Sequence, residues 1–167
     1  MGFIDFLKDK KAEVIEVWID DYTNLMWQID IDKNLYNWDE ANQYVKEKNL
    51  VQYNGYSDWR LPEIEELEWI HKMRRHLKLN EVLKFDKNGI DPNDFLQAFY
   101  WSANSLGERM DKIINMNGLS FQDMKKKAWN ICISSGLAGY DDKTDKQCVR
   151  LVRGDKSISK NLVKNFF

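Results

Sequence analysis

At 167 residues the chain is long enough for one domain with a sizeable core, and its charges nearly cancel, leaving a formal net charge of −2. That balance argues against a nucleic-acid or anionic-membrane surface, and no apolar run approaches the ~18 residues of a membrane-spanning helix. Seven Trp, seven Tyr and eight Phe supply large rings whose first use is the core, where each buries roughly 150–250 Å².

Residues 1–12 read as an arm or short amphipathic helix, with Phe3, Ile4, Phe6 and Leu7 ahead of a lysine cluster. They lack a basic stretch followed by an apolar one, so a signal peptide is not expected. The expected compartment is the cytoplasm, or the exterior if a leader has been removed. In residues 13–19 Ile15, Val17 and Ile19 share one face at strand spacing. A turn over Asp20–Asn24 and a second strand at Leu25–Gln28 complete a hairpin. Asn24 is the residue expected at positive φ, because Asn tolerates the left-handed region. Asn37 and Glu40 have the spacing of a capping box, opening a helix that carries Trp38, Ala41 and Val45 inward and ends near Asn49. Asn54-Gly55 marks a turn.

Asp58-Trp59-Arg60-Leu61-Pro62 reads as a hinge from extended chain into a second helix, over 62–78, with Pro62 in its first turn. Glu63, Glu65 and Glu66 suit the positive helix end or solvent, while Trp59 and Leu61 face the core. Asp58 and Arg60 are the polar members expected to pair. His71 and His76 stand five apart, which rules out a shared-face metal pair and leaves them as surface residues. Residues 80–98 read as loop, and their Asp/Asn run lacks the closing Glu of a calcium loop. A buried strand is expected at 99–103, a helix at 108–116 and a solvated basic run at 125–127. Strands at 128–133, 137–140 and 148–153 then form a meander, with a polar loop at 141–146. Ile158, Leu162 and Phe166 give the tail, 155–167, an apolar stripe.

The segments YTNLMWQ, NWDEANQYV, GYSDWRLPEIEEL, FYWSAN and CVRLVRG follow one another in an order that resembles the DUF1566 family, also named the Lcl C-terminal domain after a bacterial collagen-like adhesin. The resemblance runs from about Val14 to Gly154, most of the chain, and sets the domain at 13–154. The resemblance implies an α+β, C-type-lectin-like fold: a small twisted antiparallel sheet, two main helices and long irregular loops. Its signature positions here are Trp27, Trp38, Gly55, Asp58, Trp59, Arg60, Leu61, Pro62, Trp101, Arg150 and Arg153, all read as scaffold. The family often places a Cys in the first helix to pair with one in the last strand; Val45 stands there, leaving Cys148 without that partner. In the expected meander Cys132 and Cys148 lie two strands apart, about 9–10 Å, beyond the roughly 7 Å a disulfide spans. Two free thiols are therefore expected.

The function implied is a non-catalytic binding module for a glycan or a protein, with no cofactor, and with a homo-oligomer left open. Its surface is expected on loops 86–95, 104–127 and 140–147. Asp141, Asp142 and Asp145 are weak candidates for a metal, and the tripeptide motifs of calcium-dependent sugar binding are missing. Two alternatives are an assembly protein docking through its amphipathic ends and an oxidase of the formylglycine-generating type.

Overall fold

The computed structural model describes residues 17–29, 34–73, 76, 99–108 and 118–156. The readings made for the N-terminal arm, the 80–98 loop, most of the 108–116 helix and the apolar tail lie outside these residues.

The first hairpin joins β1 (Val17–Ile19) to β2 (Met26–Gln28), with Trp18 opposite Trp27. Its turn is built on Asp20, which is fully buried. The Asp20 carboxylate accepts hydrogen bonds from the Tyr22 amide (3.0 Å), the Thr23 hydroxyl (2.6 Å) and the indole of Trp69 (2.7 Å). A buried carboxylate is tolerated because it is hydrogen-bonded on both oxygens. Asn24 takes the positive φ, 55°, and its amide donates to the Asp20 carbonyl.

Helix α1 runs over Trp38–Leu50 behind an intact capping box: Asn37 accepts from the Glu40 amide and Glu40 accepts from the Asn37 amide. A tight turn at Tyr53–Gly55 follows, with Asn54 and Gly55 both at positive φ. The extended stretch after it adds Arg60 to the last strand, through reciprocal backbone bonds with Val152 of 2.9 and 3.0 Å. Helix α2 then spans Ile64–Met73.

The start of α2 corrects the sequence reading. Pro62 lies outside the helix, and its carbonyl accepts from the Ala103 amide (2.8 Å). Asn104 supplies the cap instead: its side-chain oxygen accepts from the Ile64 amide and its amide nitrogen donates to Glu63. Glu65 and Glu66 are buried rather than solvated, 6% and 0% exposed. Glu66 takes both Nη atoms of Arg60 at 2.7 Å and the Glu63 amide at 2.8 Å. Asp58 and Arg60 therefore do not pair with each other. Asp58 stays exposed and meets Arg153 at 2.7 and 3.0 Å.

The second sheet runs β3 (Phe99–Ser105), β4 (Lys127–Cys132) and β5 (Leu137–Asp142), antiparallel in that order. A one-turn helix, α3 (Phe121–Lys125), capped by Ser120, precedes β4. Lys127, expected in a solvated run, opens β4 and pairs with Asp142 at 3.1 Å. The polar loop begins later than expected, because Asp141 and Asp142 belong to β5.

The third strand of the expected meander does not pair with β5. Cys148 bridges Tyr100 of β3, and β6 (Val152–Arg153) pairs with β2 in the first sheet. Residues 148–152 are all at most 1% exposed. A run buried on every side marks a segment between two sheets rather than on the edge of one. It is pinned there by Arg150, also 1% exposed, whose Nη1 donates to the carbonyls of Gln28 and Ile29. Cys132 and Cys148 are free and buried, one on β4 and the other across β3 from it. They are two strand spacings apart, by a route other than the expected meander.

Trp27, Trp59 and Trp101 are 0%, 2% and 0% exposed and Leu61 is 3% exposed. Two packed clusters form the core. One centres on Trp27, α2 and β4; the other centres on Trp59, Trp101 and the inner face of α1. Among the described residues no helix is long and apolar enough to cross a membrane.

Candidate functional site

A groove of about 560 Å³ lies along α1, within the range of about 300–1,000 Å³ typical of small-ligand sites. One wall is a helical stripe, Glu40, Gln43, Tyr44 and Glu47, with Asp39 beside it. The spacing i, i+3, i+4, i+7 puts such residues on one face. Asn34, Leu35 and Tyr36, which precede the helix, and Lys146 complete the lining among the described residues.

The groove is held by the frame around it. Tyr36 and Gln147 exchange backbone bonds of 2.9 Å in each direction, and the Trp101 indole donates to the Tyr36 carbonyl at 2.8 Å. At the foot of α1 the Trp38 amide donates to the Lys143 carbonyl, and the Trp38 indole donates to Ser102 on β3. Helix, approach segment and 143–147 turn are thus tied to the same strand.

Tyr36 and Tyr44 meet with ring centroids 5.2 Å apart, and Tyr44 is only 7% exposed. Its hydroxyl accepts from Gln28 at 3.3 Å. Lys48 stands 5.1 Å from the Tyr44 ring centre and 4.7 Å from that of Tyr53, and Lys143 stands 4.2 Å over Trp38. This side of the molecule therefore brings cations to aromatic faces repeatedly. Three carboxylates, Asp39, Glu40 and Glu47, face one ammonium, Lys146, among the lining residues. Glu40 is engaged by the cap and lies 3.9 Å from Lys146; Glu47 accepts from Gln43 at 3.2 Å.

Of the signature residues, Trp38 and Trp101 belong to the groove's frame and the others lie elsewhere. Gly55 turns the chain at φ 79°. Arg153 is sandwiched between Asp58 and the Tyr56 ring, 3.7 Å from its centre, and the hydrogen bonds from Arg153 hold the Asp58 carboxyl below its usual range. Asp141, Asp142 and Asp145 do not converge. Asp141 accepts from Asn130 (2.6 Å) and Gln147 (2.9 Å), Asp142 from Lys127, and Asp145 from the Asp142 amide. Among the described residues no three His, Cys, Asp or Glu side chains are grouped to hold a metal. Of the expected loop surface, 86–95 lies outside the described residues, and 140–147 reaches the groove through Lys146. The α1 stripe and Tyr36 were missed in the sequence, although the polar repeat at 40, 43 and 47 running beside the buried Tyr44 was the available signal.

The family model of the Lcl C-terminal domain matches residues 16–153. Among curated proteins no match is found. With most of its length covered, from the first hairpin to the last strand, the chain belongs to the Lcl C-terminal domain family.

Proposed function

We propose that this chain is a non-catalytic binding module on a C-type-lectin-like scaffold, and that it takes its ligand in the α1 groove. The scaffold reading is supported by two small antiparallel sheets, two main helices, and a last strand that returns to the first hairpin. The observation that carries the binding reading is the groove itself, a tyrosine-lined space on a capped helix fastened to β3. Sites of this kind combine ring surface with a few fixed polar groups. The polar groups present favour holding over reacting. Glu40 is tied into the cap and Glu47 to Gln43, and among the described residues the lining includes no Ser, Cys or His. The two thiols flank β3 from opposite sides, which disfavours oxidase chemistry on a cysteine pair.

The test is an amide-shift titration of the whole chain with a panel of neutral and charged oligosaccharides and peptides. A saturable ligand is expected to move the resonances of Tyr36, Gln43, Tyr44 and Glu47. Tyr36→Ala is expected to weaken it at least tenfold. Saturable binding that maps away from α1, or conversion of any panel member to product, would overturn the reading.

A further inference from the structure

Resting on that reading, we infer that the occupant of the groove is a basic peptide segment, extended along α1 with Lys or Arg side chains over Tyr36 and against the carboxylates. Among the described lining residues Asp39, Glu40 and Glu47 outnumber Lys146, with Lys48 and Lys143 held outside the lining over Tyr44 and Trp38, and this acidic excess favours a cation over a polyanion.

The rings give the same answer independently. Tyr36 supplies a partly open ring backed by the buried Tyr44, and the chain's own Lys48 and Lys143 already lie over Tyr44 and Trp38 at cation–π distance. The surface selects ammonium and guanidinium groups within the molecule itself. Lys146, a lining residue 3.9 Å from Glu40, meets the acidic stripe in the manner expected of an incoming lysine.

Length and hydrogen bonding separate a peptide from a simple polyamine. From Asp39 to Glu47 the helix rises about 12 Å, the span of three to four residues of extended chain. Asn34 and Gln43 add carboxamides to the lining. A carboxamide offers both a donor and an acceptor, which a peptide backbone uses in full and a polyamine, having no carbonyl, does not.

The test uses the whole chain and a fluorescent pentapeptide, Gly-Lys-Arg-Lys-Gly, with an all-neutral peptide, an all-acidic peptide, spermidine, a neutral oligosaccharide and heparin as comparators. Anisotropy gives affinity and amide shifts give place. The basic peptide is expected to saturate the groove, at least tenfold tighter than spermidine or the neutral peptide. Asp39→Asn with Glu47→Gln is expected to weaken it at least tenfold. Asp123→Asn, an exposed acid on α3, is expected to leave the affinity unchanged. Equal binding by spermidine, equal loss in Asp123→Asn, or shifts spread over all exposed acids would overturn the inference. Oligosaccharide or heparin shifting the groove while the basic peptide does not would overturn it too, yet leave the binding-module reading standing. If no probe moves the groove, both fall.

Discussion

Gly136 closes the β4–β5 turn at φ 76°, and a Cβ added there would collide with the imidazole of His71. That ring is fixed, because its Nδ1 lies 2.7 Å from the Ile133 carbonyl. A carbonyl only accepts, so Nδ1 carries the proton, and His71 docks α2 onto the turn rather than lying free on the surface. Gly55 has nearly the same φ, 79°, with open space where a Cβ would go. The two glycines separate backbone strain from collision. Gly55→Ala is expected to cost about 1–2 kcal/mol, the left-handed penalty alone. Gly136→Ala adds displacement of the ring and loss of its hydrogen bond, about 1 kcal/mol more. Urea denaturation of both, each also in a His71→Ala background, checks this. The excess at Gly136 is expected to vanish when His71 is absent, and an excess that persists would place its origin in the backbone.

At the scale of elements, the parts written locally were legible and the parts written across the chain were not. The α1 cap is four residues long and could be read directly, as could the left-handed Asn24. The α2 start was misread because Pro62 is a strong local signal, whereas the real cap, Asn104, is 40 residues away on β3. The same distance hid the strand partner of residues 148–152: their apolar pattern announced burial but carried no register. Glu66 looked like a dipole-facing acid because nothing local shows that Arg60 folds back onto it as a two-pronged ion pair. The groove stayed invisible for a related reason, since the rest of its lining comes from residues 34–36 and Lys146. The cap is also the element that holds the groove's acidic wall in place. Asn37→Ala is expected to cost about 1 kcal/mol and to fray the first turn of α1. Hydrogen exchange reads this as faster exchange at Glu40, whose amide donates to Asn37. Unchanged exchange there would show that the Trp38 bonds to Lys143 and Ser102 suffice to hold the turn.

Across the whole molecule the two free thiols report on how the sheets close over the segment that joins them. Burial pushes the Cys148 thiol up from 9.0 to about 11, against a smaller opposing effect of the neighbouring Arg150 charge. Cys132 is also buried, which raises its thiol, but hydrogen bonds from Ser134 and Ser135 outweigh this and the net direction is down. The two therefore act on alkaline stability with opposite signs. Cys148 has a folded value above its unfolded one, so its contribution is complete below about pH 9 and is lost as pH rises toward 11. By linkage the loss is on the order of 2–3 kcal/mol. Cys132, shifted the other way, adds stability as pH rises through its folded value, and that gain is complete above the unfolded 9.0. Cys148→Ala is expected to lower stability at neutral pH through the small cavity it leaves, and to flatten the decline between pH 9 and 11. Cys132→Ala is expected to remove a rise in stability just below pH 9 and to leave the slope between pH 9 and 11 unchanged. Denaturant midpoints at half-unit pH steps from 7 to 11, compared as differences from the unaltered chain, cancel the common tyrosine and lysine titrations. A Cys148→Ala curve parallel to that of the unaltered chain would mean that the segment between the sheets opens to water well before the molecule unfolds.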